Sequence, residues 1–230
     1  MLFAIKSGEK LVYSIRYGTI TAGYTIGTFI EDVYNDTIPC YKITSVSRTT
    51  KFFDKFYKVR DSLQSYWDKE KLITRKYYKQ LNEGKYWQKR IQFYYPEQGI
   101  SVYWKYDRKT KNIKEKIIKI PKDVQDVLTA IYWFRMQKFS VGDTLFVNIA
   151  ADGKSYTGKI IIKKKEKIKT IFGEKECFLV IPMLKGEATF KYSAKIKIWF
   201  TADEQKIPVK MESKVTFGSF KIVLIKAENI

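Results

Sequence analysis

The sequence predicts an all-β protein, an antiparallel barrel or strongly curved half-barrel with one packed α-helix near residues 122–137. Three observations lead there. Along most of the chain, apolar and polar side chains alternate with a period of two, as on a strand with one dry and one wet face. Clusters of turn-forming residues cut that alternation into short runs. One segment alone changes to helical spacing. The longest alternation puts Phe190, Tyr192, Ala194, Ile196, Ile198 and Phe200 on one face. Lys191, Ser193, Lys195 and Lys197 fall on the other, with Trp199 the exception.

In chain order, Leu11, Tyr13, Ile15 and Tyr17 alternate with Val12, Ser14 and Arg16. Strand patterns continue over residues 21–33, 41–48, 59–67, 72–81 and 85–94. Ile100, Val102, Trp104 and Tyr106 then alternate with Ser101, Tyr103, Lys105 and Asp107. Residues 113–120, 144–149, 156–168, 177–184 and 207–213 follow, and 215–225 reads as strand on both faces. The breaks carry turn chemistry: Asn35-Asp36, Asn82-Glu83-Gly84, Pro96-Glu97-Gln98-Gly99, Asp152-Gly153 and Gly173. Short turns between strands rich in Tyr, Ile, Val, Phe and Trp favour an antiparallel meander. More than ten strands in one sheet curl or close as twist accumulates, hence the barrel or half-barrel over a single domain, residues 1–230.

The helical segment opens at Pro121-Lys122-Asp123, a helix-start signal. Val124, Val127, Leu128, Ile131, Phe134 and Arg135 follow at helical spacing, so an apolar face is expected to plug or cap the sheet. A shorter helical turn is expected at residues 52–56.

Composition excludes several chemistries. The chain of 230 residues has no histidine, which removes Ser-His-Asp and Cys-His catalysis, His-ligated zinc and a histidine pH switch. Cys40 and Cys177 are too few for a four-cysteine zinc site; they read either as one disulfide or as two buried small residues. No nucleotide-binding glycine loop or Gly-x-Ser-x-Gly elbow is present. No run approaches the roughly 20 apolar residues that span a bilayer. Met1-Leu2-Phe3-Ala4 is an apolar stub, so residues 1–6 read as the remnant of an export signal or as the start of the fold.

The formal net charge is +20, carried by 44 Lys and Arg, of which only seven are Arg. Nucleic-acid recognition favours the planar Arg fork, so this surface argues for generic solvated charge, in the lysine-rich style of heat-adapted proteins. Lys163, Lys165, Lys167 and Lys169 fall on one face of a strand. They read as a comb for an anionic partner or, more simply, as guards of an exposed strand edge. Two carboxylate pairs, Asp203-Glu204 and Asp54 with Asp61, are the nearest thing to acid–base machinery, and Asp203 has the setting of a turn. Asp61 and Arg135 are charges among apolar neighbours, expected to pair and pin the helix to the sheet.

Several blocks, taken in order, resemble an uncharacterised family of exported bacterial proteins, domain of unknown function 3108. They are Gly8-Glu9-Lys10-Leu11-Val12-Tyr13, Tyr17-Gly18, Ala22-Gly23 and Phe56-Tyr57-Lys58-Val59-Arg60-Asp61. Asp126 to Arg135, Gly142-Asp143, Asp152-Gly153-Lys154, Ile198 to Asp203, Ile207-Pro208-Val209 and Gly218-Ser219 complete the set. The resemblance implies a periplasmic or envelope β protein and brings no catalytic, cofactor-binding or metal-binding residues.

The expected function is therefore non-enzymatic and free of cofactors: binding of a lipid or other amphiphile in the concave face of the sheet. The alternative is a structural module of an envelope assembly. A nucleic-acid or acidic-polysaccharide binder ranks below both, and a carboxylate hydrolase last.

Overall fold

The structure, a computed structural model, describes residues 5–183, 196–214 and 219–230. The strands are β1 (Glu9–Tyr17), β2 (Ile20–Tyr34), β3 (Ile38–Thr49), β4 (Arg60–Asp68), β5 (Thr74–Glu83), β6 (Tyr86–Tyr95) and β7 (Ile100–Tyr106). They continue as β8 (Ile113–Lys119), β9 (Thr144–Ala151), β10 (Lys154–Thr170), β11 (Gly173–Met183), β12 (Ile196–Thr201), β13 (Pro208–Lys214) and β14 (Ser219–Glu228). Each overlaps a strand predicted from the sequence, with ends shifted by a few residues, as for β11 and β14. The stub at residues 1–4, the first half of the 190–200 alternation, Leu184 and residues 215–218 lie outside the described residues.

All fourteen strands make one antiparallel sheet in the order β8-β7-β6-β5-β4-β3-β2-β1-β14-β13-β12-β11-β10-β9. Two meanders are thus joined through the chain ends, Lys10 pairing with Glu228 and Tyr17 with Phe220. The turns explain the register. Asn35 and Asp36 both take positive φ, 50° and 56°, as does Asp152-Gly153 at 53° and 72°, the geometry that matches a two-residue hairpin to strand twist. A Cβ on Gly153 would stand 2.8 Å from the Tyr103 ring, so glycine is required there twice over.

The sheet is curled and not closed: its two end strands, β8 and β9, do not pair with each other. The seam is filled in two other ways. Gln125 forms a parallel bridge with Ile149 on the edge of β9, donating its N–H to Asn148 O at 2.8 Å, while Thr74 N–H donates to Val124 O at 3.1 Å. The β9–β10 tip meanwhile reaches across to β5, β6 and β8. Asp152 takes Lys79 at 2.6 Å and Arg90 at 2.8 Å, Lys116 donates to Gly153 O, and Tyr94 donates to Ala150 O.

Two helices accompany the sheet, α1 (Lys51–Asp54) and α2 (Thr129–Met136). The long helix begins later than the expected 122–137. Backbone pairing of residues 124 and 125 with β5 and β9 holds that stretch extended. The cap is Asp126, not the Asp123 that follows Pro121. Asp126 Oδ1 accepts from Leu128 N at 2.7 Å and Thr129 N at 3.1 Å, and Thr129 Oγ1 accepts from Asp126 N in return, a reciprocal capping pair. Ser65 and Thr74 hydroxyls also donate to this carboxylate, tying the helix start to β4 and β5.

Burial pushes the Asp126 carboxyl up to about 6, against the pull of those hydrogen bonds. The folded pKa is raised, so the group's stabilising contribution is complete below its unfolded value of about 3.9 and is lost as pH rises through about 6. Urea unfolding of the wild type should lose about 2 kcal/mol between pH 4 and pH 7 relative to Asp126→Asn, most of the effect of about two pKa units at 1.36 kcal/mol each, the rest falling below pH 4. A pH-independent difference between the two proteins would contradict this.

The main core lies between the concave face and α2. Phe29 stacks on Tyr41 and on Tyr132 of the helix, and Phe134 packs on Phe139 and Phe200. Most aromatic residues therefore do the packing work that alternation assigned to them. A smaller cluster of Leu11, Cys177, Leu179, Trp199, Ile207, Val209 and Leu224 sits where β12 and β13 bulge. Of the two readings of the cysteines, the second is the one realised. Cys40 and Cys177 are free and buried, and burial pushes their thiols up to about 12 and about 11, which leaves little thiolate for chemistry.

Candidate functional site

The site is built by α2 lying inside the curled sheet. Its stripe Leu128, Ile131, Tyr132 and Arg135 faces β1, β2 and β3; the adjoining stripe Val127, Ala130, Ile131 and Phe134 faces β9 to β12. Neither stripe packs completely. The first leaves a cavity of about 220 Å³ and the second one of about 270 Å³. The two share Ile131, Ile198, Phe200 and Met211 as a common wall. Their surroundings are apolar apart from a few hydroxyls and the charged groups below.

The floor of the first cavity is mostly small residues. Gly27 and Ser45 are aligned across β2 and β3, with Thr25 and Thr44 beside them and Leu11 closing the row on β1. A Cβ on Gly27 would meet only two backbone carbonyl oxygens at 3.9 Å, ordinary contact, so the glycine leaves room and relieves no clash.

One side of this cavity is charged. Arg135 donates to both carboxylate oxygens of Glu9 at 2.7 Å and to Gln205 O at 3.0 Å, with both ionic side chains almost wholly buried. Burial opposes the Arg135 charge, yet the Glu9 carboxylate outweighs it and the pKa is raised. Tyr132 donates to Glu9 at 3.4 Å and Tyr13 donates to Pro208 O at 2.9 Å. The cation thus sits at the last turn of α2, where the helix dipole also favours it. Lys210 borders the same cavity, about a quarter exposed, with Glu212 at 2.8 Å and its ammonium over the Trp199 ring.

The expected Asp61–Arg135 pair is corrected by this geometry: Glu9 takes Arg135. Asp61 Oδ1 instead accepts from Asn82 N at 2.9 Å, since the helix crosses the interior from β4 and β5 at its start to β1 at its end. Sequence reasoning missed Glu9, although the signal was present. Glu9 is in phase with Leu11, Tyr13 and Ile15, an acid on the dry side of a strand.

Lys163 is the bulged residue between Ile162 and Lys164; Lys165, Lys167 and Lys169 follow, all exposed. They occupy the part of β10 that runs past β9, whose pairing stops at Ile161. Lys165 lies over the Phe178 ring and Lys167 pairs with Glu174 at 3.1 Å. Asp54 is bound by Arg60 at 2.5 Å, and Asp203 accepts from Thr201 Oγ1 and Lys206 N, a turn aspartate. Among the described residues no group of three or more His, Cys, Asp or Glu is placed to hold a metal, and no helix is long and apolar enough to cross a membrane.

The profile of a family described as protein of unknown function (DUF3108) matches residues 12–225. No curated protein matches the sequence. Among solved structures, the chain is similar to a beta-barrel-like protein of domain of unknown function DUF1849 from Brucella abortus. The identity is 10%, the match covers 96% of this chain and 97% of that chain, and the TM-score is 0.60. At that identity the likeness speaks for the fold alone.

Proposed function

We propose a function from this geometry, because the chain belongs to a family of proteins of unknown function, DUF3108: it is a non-enzymatic protein of the cell envelope that holds an amphiphile between α2 and the sheet. The observation that carries this reading is the pair of apolar cavities sharing one wall along α2. Together they reach the range of about 300–1,000 Å³ typical of small-molecule pockets. Met211 and the aliphatic wall can repack to let one acyl chain run through both. Arg135 and Lys210 at the border are held by Glu9 and Glu212, so the headgroup end is expected to be polar rather than drawn in by a spare cation. The envelope setting rests on the exported family that the sequence resembles.

Native mass spectrometry of protein purified without detergent tests it. The expected result is a retained or exchangeable amphiphile that organic extraction releases. Protein that neither carries an amphiphile nor takes one up from added fatty acid contradicts the reading. A second reading, a module of an envelope assembly, has one observation in its favour, the β10 edge past Ile161 that no described strand covers.

A further inference from the structure

We propose that the end of the barrel carrying α1 docks on the surface of an anionic lipid bilayer. The inference is independent of the amphiphile reading and uses a different part of the molecule. Phe52 and Phe56 on and just after α1 are 59% and 73% exposed, and Tyr57 is 51% exposed. The three Phe rings of this short segment cluster on one another, Phe52 lying 5.7 Å from Phe53 and 5.5 Å from Phe56. Large rings at a loop tip left more than half exposed form a contiguous apolar tip, and such a tip marks an interaction surface.

The surface is wider than one turn of helix. Phe53 and Tyr57 line a third cavity, of about 390 Å³, together with Tyr17 and Phe220 from the neighbouring strand ends. The β5–β6 turn joins from the other side: Gly84 N–H donates to Lys58 O at 2.8 Å, and Tyr86 beside it is exposed. Aromatic rings gathered at one pole of a barrel suit the headgroup layer, where amphipathic rings lodge.

Charge identifies the occupant. Residues 48–60 hold five basic residues, Arg48, Lys51, Lys55, Lys58 and Arg60, against one acid, Asp54. Arg60 already occupies Asp54 at 2.5 Å, with Thr49 bonded to the same carboxylate. Lys51, Lys55 and Lys58 are exposed around the rings. Asp54 also acts on Lys58, and the Asp61 and Glu83 carboxylates lie near Tyr57, so the basic residues outnumber the acids at this end without being free of them. Exposed rings encircled by exposed lysines complement a surface that is apolar within and negative at its face, which an anionic bilayer is.

Sedimentation with vesicles tests this, using phosphatidylcholine alone and phosphatidylcholine mixed with phosphatidylglycerol. The wild type should bind the mixed vesicles, more weakly as salt rises, and bind pure phosphatidylcholine far less. Lys51→Ser with Lys55→Ser should weaken binding about fivefold per lysine, and Phe52→Ser with Phe56→Ser should abolish most of it. All four side chains are exposed, so thermal unfolding of both variants should match wild type and their amphiphile content should be unchanged. Equal binding to both vesicle types, binding that survives loss of the rings, or self-association of vesicle-free protein through this end would each overturn the proposal.

Discussion

Arg135→Met is expected to destabilise the protein by about 3–5 kcal/mol, because it leaves the Glu9 carboxylate buried without its cation. The pair joins β1 to the last turn of α2 through two bonds of 2.7 Å, deep in the interior. The cost belongs to the orphaned charge more than to the attraction itself. The double variant Glu9→Leu with Arg135→Met should therefore recover most of the loss, since an apolar pair of similar volume carries no desolvation penalty. Urea unfolding of the two single variants and the double one measures it. A parallel cycle of Asp61→Asn with Arg135→Met should be additive within about 0.5 kcal/mol, as expected for residues that share no partner. Coupling in that second cycle, or a mild effect of Arg135→Met alone, would contradict the assignment.

The second large effect concerns ligand uptake. Gly27→Leu should remove amphiphile binding from the cavity while leaving the fold at least as stable. Gly27 sits on the cavity floor, aligned with Leu11 and Ser45, and its added Cβ would meet nothing closer than 3.9 Å. The new side chain enters empty space lined by Tyr13, Ile43 and Leu128, gaining apolar burial where glycine gives none. Replacing a strand-interior glycine whose backbone is ordinary also removes its excess unfolded-state entropy, about 0.5–1 kcal/mol. Loss of binding together with an unchanged or raised unfolding midpoint separates a filled pocket from a broken fold. Retained binding would place the ligand elsewhere.

Much of this architecture was legible in the residues. Strand patterns in the sequence, most of them alternating, overlap every described strand, and Asn35-Asp36 and Asp152-Gly153 marked hairpins whose positive φ angles now explain them. What was not legible depends on register between distant segments. The pairing of β1 with β14 joins residues more than 200 positions apart, and nothing local announces it. The start of α2 was misplaced because Asp123 and Asp126 are equally good caps by type. Only the bridge of Gln125 to Ile149 decides between them. The sequence reading pairs Arg135 with Asp61 and passes over Glu9, because the direction of the helix across the interior, which brings Arg135 to Glu9, is a tertiary fact. Gly27 was invisible as a cavity former, since a small residue leaves a void only where the fold brings it beside other residues that do not fill it, here Thr25 on its own strand and Ser45 across from it. The segment 52–56 reads as a helical turn in the sequence, and the exposure of its rings appears only with the fold.

The claim on which the rest depends is that a sheet curled around α2 leaves an apolar chamber able to accept an acyl chain. Nuclear Overhauser contacts between isotope-labelled laurate and the protein's methyl groups test it most directly. The account predicts contacts from the acyl methylenes to Ile131, Ile198 and Met211, on the wall shared by the two cavities, and their loss in Gly27→Leu. Contacts confined to surface residues such as Ile113 and Ile117, or no saturable contacts at all, would contradict it.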